Sequence, residues 1–214
     1  MRVRVKICGI TTDQAAHAAA EAGADAAGFV FAVSPRRVDV RLAAKLMADL
    51  PAFVTRVAVF RNPARMDMVL VLEECPPDVI QAEPTPDVLK VARGGPRLLP
   101  VFHDGHRLTS ELHEYLAGNR VCAEVLLESA GRGGCGEMPD WNRAAEVARK
   151  IPLVLAGGLT PANVRDAICR VRPAGVDVSS GVESSPGVKD PARIHDFVRA
   201  VREAEESVAL EATL

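Results

Sequence analysis

Val3-Arg4-Val5-Lys6-Ile7-Cys8-Gly9 and Ala26-Ala27-Gly28-Phe29-Val30-Phe31 flank the alanine-rich stretch Thr12–Ala22. The two flanks are short, apolar and β-branched, which predicts strands. Thr12-Asp13 places a side-chain acceptor at the start of a predicted helix. This strand–helix–strand unit repeats to the end of the chain. Further strands are expected over Val54–Phe60, Asp78–Gln81, Arg97–Phe102, Cys122–Leu127, Pro152–Ala156 and Val176–Ser179. Their starts fall about 19 to 30 residues apart, the length of one strand, one helix and two short loops. Helices are expected over Val40–Leu50, Pro63–Cys75, Asp87–Arg93, Leu108–Leu116, Trp141–Lys150, Pro161–Val171 and Pro191–Glu205. Asn62-Pro63, Thr160-Pro161 and Asp190-Pro191 act as start signals. Alternating strands and helices imply right-handed crossovers and a parallel sheet. Eight nearly uniform units, with no G-x-G-x-x-G after the first strand, favour an α/β protein built as a single (β/α)8 TIM barrel over an open dinucleotide-binding sheet. The barrel should span residues 1–205, with 206–214 as a frayed tail.

Composition narrows the function classes. The chain has 214 residues, 48% of them hydrophobic and 25% charged, with a formal charge of −2. There is no basic face to attract nucleic acid. No apolar stretch is long enough to span a membrane, and no signal segment precedes Arg2-Val3-Arg4. Five cysteines without a C-x-x-C suit a reducing compartment, so a cytoplasmic protein is expected. Aromatic residues are only 4% of the chain, too few for a base-stacking or sugar-stacking platform. No sequence feature chooses between a monomer and a homodimer.

In this architecture the chemistry lies at the C-terminal ends of the strands. Alternation along the first strand puts Arg2, Arg4, Lys6 and Cys8 inside the barrel and Val3, Val5 and Ile7 against the helices. Cys8 then sits at the mouth with Lys6 one layer below. A neighbouring ammonium would lower the thiol pKa and prepare a base or nucleophile; the alternative is a small buried hydrophobe. Gly157-Gly158 and Ser180-Gly181 follow the seventh and eighth strands, the usual phosphate position of this fold. Asp177 and Ser179 face inward on the last strand, and Asp177 is counted among the substrate-binding residues. Arg36, after the second strand, is shaped to clamp a carboxylate, or is a solvated loop arginine. Glu128 ends the sixth strand, where burial would suit it to general acid work. His103-Asp104-Gly105-His106 lacks a third ligand, so no metal is expected.

Together these strand ends resemble the phosphoribosylanthranilate isomerase family. The resemblance rests on Lys6-Ile7-Cys8-Gly9-Ile10-Thr11, on Gly23–Phe31 followed by Ser34-Pro35-Arg36, and on Leu153–Pro161. It continues through Val176–Glu183 and Pro186-Gly187-Val188-Lys189-Asp190. It implies a cofactor-free Amadori rearrangement of a phosphoribosyl amine in tryptophan biosynthesis. By analogy Cys8 would be the general base, Arg36 the holder of the anthranilate carboxylate, and Gly157, Gly158, Ser180 and Gly181 the phosphate cradle. The family's acid is an aspartate after Leu-Leu; here Leu126-Leu127-Glu128 carries one more methylene, which moves the carboxyl by about 1.5 Å. Gln81-Ala82-Glu83-Pro84 stands where the family has Gln-Leu-His-Gly. Gly133-Gly134-Cys135-Gly136 replaces Gly-Gly-Thr-Gly, and Pro139-Asp140-Trp141 replaces Phe-Asp-Trp. A sugar-phosphate-binding barrel of this family, without catalysis or with altered specificity, is the alternative reading.

Overall fold

The computed structural model describes residues 2–118, 124–131 and 137–211. Eight parallel strands close into a barrel: β1 (Arg4–Cys8), β2 (Ala26–Val30), β3 (Thr55–Val59), β4 (Val79–Ala82), β5 (Arg97–His103), β6 (Val125–Glu128), β7 (Leu153–Leu155) and β8 (Gly175–Val178). Closure is made by β8 against β1, where Lys6 pairs with Asp177 and Ile7 with Val178. The expected eight-stranded α/β barrel is therefore present. Residue 122, where the sixth strand was expected to begin, and the Gly133-Gly134-Cys135-Gly136 loop lie outside the described residues.

The helices are α1 (Asp13–Glu21), α2 (Val40–Ala48), α3 (Arg65–Glu74), α4 (Pro86–Ala92), α5 (Leu108–Gly118), α6 (Trp141–Ala148), α7 (Val164–Val171) and α8 (Pro191–Glu211). Thr12 caps α1 by accepting from the Ala15 N–H, and Asp39 caps α2 by accepting from the Leu42 N–H. Thr85 caps α4, whose Pro86 sits in the first turn where no N–H is needed. The start signals at Asn62-Pro63 and Thr160-Pro161 are read early. Asn62 adopts φ 44 and α3 begins at Arg65, while α7 begins at Val164. The expected frayed tail is also corrected up to Glu211. There α8 runs on as helix, because Val201, Ala204 and Val208 keep an apolar stripe buried on the barrel.

Two apolar layers hold the fold. The outer one lies between sheet and helices and includes Ile7, Phe29, Ile80, Leu127, Leu155 and Phe197, all essentially inaccessible. Each such side chain stabilises by about 1.5–3 kcal/mol. The inner layer is smaller and lopsided: Leu99, Val101, Leu126, Val154 and Ala156 fill the barrel under β5, β6 and β7. Lys6, Cys8 and Asp177 occupy the side under β1 and β8. Arg2 does not enter the barrel. It lies outside on Asp25, while Arg4 pairs with Glu124 at the N-terminal mouth.

Candidate active site

One cavity of about 660 Å³ opens at the C-terminal ends of the strands. Its wall brings together Cys8 from β1, Arg36 after β2, Glu128 from β6, Gly157 and Gly158 after β7, and Asp177 and Ser180 from β8 and its loop. Of the sequence-predicted site residues, Gly181 alone is not on that wall. It packs beneath the β7 loop, where a Cβ would come within 1.9 Å of the Leu159 carbonyl oxygen. Its smallness lets the two loops meet.

The floor is an ion pair. Lys6 Nζ donates to Asp177 Oδ1 at 2.9 Å, with both side chains buried. Burial alone would pull the Lys6 ammonium down, but Asp177 and then Cys8 hold it above its ordinary value. Gly28 makes room for this arrangement, since a Cβ there would crowd Lys6 Nζ and Cys8 Sγ at 3.0 and 3.1 Å. The expected lowering of the Cys8 pKa is overturned. Burial pushes the thiol up, and the charges of Lys6 and Lys189 offset this only in part. Burial therefore favours the thiol and makes the thiolate, when it forms, a stronger base.

Glu128 stands three strands away around the barrel. Desolvation first, and then the charge of Asp177, push its carboxyl above the usual carboxylate range; His103, Arg61 and Lys6 pull the other way. That direction favours the protonated form, the one a general acid needs.

The two glycine loops differ in how they are fixed. Gly157 and Gly158 take φ +92 and +62, conformations closed to most side chains. The Asn163 amide donates to the Gly158 carbonyl at 2.9 Å, and its oxygen accepts from the Thr160 N–H at 2.8 Å, which pins the loop to the start of α7. The other loop is a single 3-10 turn, Ser180–Val182, whose first N–H groups have no partner within the turn itself.

Arg36 is neither solvated nor open. Its Nε and Nη2 donate to the two carboxylate oxygens of Glu183 at 2.8 and 2.9 Å. Glu183 also accepts from Lys189 Nζ at 2.7 Å, and that ammonium reaches the Ser179 carbonyl oxygen at 2.9 Å. Sequence reading missed Glu183 and Lys189 as site residues, although both lie in the closing motifs. Gln81 and Arg61 were missed as well. Both line the cavity, and the buried Gln81 amide oxygen has no hydrogen-bond partner among the described residues. Inward alternation from Val57 and Val79 could have found them. His103, set aside as half of a metal motif, instead faces Glu83 at 3.4 Å.

A family model described as N-(5'-phosphoribosyl)anthranilate (PRA) isomerase matches residues 5–200. The chain is 45% identical over 206 residues to the N-(5'-phosphoribosyl)anthranilate isomerase of Pseudomonas putida strain W619, covering 94% of this chain and 98% of that one. Among solved structures it is similar to a phosphoribosyl anthranilate isomerase in complex with reduced 1-(o-carboxyphenylamino)-1-deoxyribulose 5-phosphate. That match has 34% identity, a TM-score of 0.80, and coverage of 94% and 99% of the two chains. It is also similar to monomers generated from the dimeric enzyme of Thermotoga maritima, with 35% identity, a TM-score of 0.76, and coverage of 94% and 98%.

Proposed function

The chain belongs to the N-(5'-phosphoribosyl)anthranilate isomerase family, and on that footing we propose that it converts N-(5'-phosphoribosyl)anthranilate into 1-(2-carboxyphenylamino)-1-deoxyribulose 5-phosphate. It is an aldose–ketose isomerase of tryptophan biosynthesis. The observation that carries the chemistry is the placement of Cys8 and Glu128 on one cavity wall, three strands apart, with the Gly157-Gly158 and Ser180 loops between them.

The reaction needs one acid and one base. Glu128 gives its proton to the furanose ring oxygen as the C1–O bond breaks. The anilino nitrogen lone pair forms the C1=N bond, leaving an open-chain iminium. That cation acidifies C2–H, and the Cys8 thiolate removes the proton. The electron pair of the C–H bond becomes C1=C2, and nitrogen recovers its lone pair. The enol oxygen of this enolamine then releases a proton and C1 gains one, giving the ketone. Burial makes the thiolate scarce but strongly basic, and keeps the Glu128 proton in place until the ring oxygen calls for it. No cofactor takes part.

Binding divides among the walls. Backbone N–H groups of Gly157, Gly158, Ser180 and Gly181 would hold the phosphate. Arg36, braced by Glu183, would meet the anthranilate carboxylate. Gln81 would take a sugar hydroxyl as the donor its buried oxygen lacks, and Asp177 would contribute from the floor. The partner is a small phosphorylated molecule. No helix among the described residues is long and apolar enough to cross a membrane. Nucleic acid has no place in this reading, and a cytoplasmic monomer or homodimer completes it. The reading is tested by fluorescence-monitored turnover of phosphoribosylanthranilate by the purified protein. Conversion to the ketose supports it, and binding without conversion replaces it with the sugar-phosphate-binding barrel.

A further inference from the structure

Glu83, His103 and Glu128 occupy the inward positions at the ends of three consecutive strands. His103 and Glu128 are direct register partners across β5 and β6, so their backbones lie about 4.8 Å apart. Leu99 and Val101 below His103, and Leu126 below Glu128, point into the barrel, and alternation carries both side chains to the same rim. The imidazole is fixed at both nitrogens: Nε2 lies 3.4 Å from Glu83 Oε1, and Nδ1 lies 3.3 Å from the Ser129 carbonyl oxygen. The atoms facing both nitrogens are acceptors, an arrangement that a ring carrying a proton on each nitrogen satisfies best.

We propose that Glu83 and His103 form a positioning pair for Glu128, in which Glu83 keeps the imidazole charged and the imidazolium sets the pH at which Glu128 gains and loses its proton. The pair touches no reacting atom; it acts through the acid. This rests on the reading of Glu128 as the general acid.

The charges on every side of the two groups agree with this. Glu128 faces Asp177 on β8, which raises its pKa after burial has done so, and faces His103, Arg61 and Lys6, which lower it. His103 is raised first by its bond to Glu83, with the Ser129 carbonyl and the charge of Glu128 adding, against the opposing effect of burial. Glu83 is in turn held low by His103 and by the Asn62 N–H, although burial opposes this. Of the cations among the described residues that act on Glu128, His103 carries the side chain that ordinarily titrates near neutral pH. The longer glutamate at this position thus acquires a cation that can offset its burial.

Carbon-13 NMR of the Glu128 carboxyl, followed through a pH titration in wild type, His103→Gln and Glu83→Gln, tests the pair without needing turnover. Loss of one adjacent cation should raise the Glu128 midpoint by about 0.5 to 1 pH unit in His103→Gln, with a smaller rise in Glu83→Gln. The His103 ring midpoint should fall in Glu83→Gln. The acidic limb of the kcat/KM profile, which rises as Glu128 ionises and leaves the pair with Cys8 singly protonated, should move upward by the same amount. An unchanged Glu128 midpoint overturns the proposal. A midpoint that moves while the kinetic limb stays put keeps the electrostatic coupling and overturns the general-acid reading on which the functional half depends.

Discussion

Arg36 and Glu183 form a two-bond ion pair inside the cavity wall, Nε to Oε1 at 2.8 Å and Nη2 to Oε2 at 2.9 Å. Glu183 belongs to the loop that follows β8, so an arginine from the second unit is oriented by a carboxylate from the last. Glu183→Gln removes one acceptor charge from two cations, one of them the fully buried Lys189. Leaving a buried charge unpaired costs about 3–5 kcal/mol. The melting temperature of Glu183→Gln should therefore fall by roughly 10 °C. KM for substrate should rise more than kcat falls, because Arg36 loses its fixed angle. Equal losses in both would mean that Arg36 does not bind the carboxylate.

The same pair contributes to acid stability. Burial would raise the Glu183 carboxyl, but the bonds from Arg36 and Lys189 hold it below its ordinary value near 4.5. A carboxylate depressed on folding stabilises fully above its unfolded pKa, and that contribution fades as pH falls through the folded one. Urea unfolding of wild type should lose stability progressively below pH 4.5. Glu183→Gln should give a flatter curve over that window.

Gly181→Ala places a Cβ against the Leu159 carbonyl, a backbone atom that cannot swing aside. The β7 and β8 loops must separate, so affinity for a phosphorylated product analogue should drop at least tenfold, measured by calorimetry. Gly28→Ala crowds only the flexible end of Lys6 and Cys8, and should spare phosphate affinity while lowering kcat. If both variants weakened binding equally, the cradle would lie elsewhere.

Glu128→Gln keeps the shape and removes the transferable proton. The expected loss is about 10² to 10⁴ in kcat, with analogue binding retained. Glu128→Asp keeps the proton but withdraws it by about 1.5 Å, and a 1 Å misplacement can cost about a hundredfold. An increase in kcat on shortening would mean that the site is built around an aspartate and that Glu128 reaches past the ring oxygen.

Much of this was legible in the sequence because strand periodicity is local. The alternation Lys6, Cys8 against Val5, Ile7 fixed which face looks inward, and seven of the eight predicted site residues share the cavity wall. Reading failed where tertiary packing decides. The Cys8 pKa follows from burial, which no neighbouring residue in the sequence announces. The Arg36–Glu183 and His103–Glu83 pairs join residues 147 and 20 positions apart. The α8 helix outran its expected end because Val208 finds a buried seat on the barrel, a fact absent from local propensity.

The central claim is that Cys8 is the base of an isomerase acting on phosphoribosylanthranilate. Turnover is followed by fluorescence for wild type and Cys8→Ser in parallel, with affinity for reduced 1-(o-carboxyphenylamino)-1-deoxyribulose 5-phosphate measured on both. The account predicts conversion by wild type, a loss of at least a thousandfold in Cys8→Ser, and nearly equal analogue affinity. Conversion by Cys8→Ser at the wild-type rate, or analogue binding by a wild-type protein that never turns over, would contradict it.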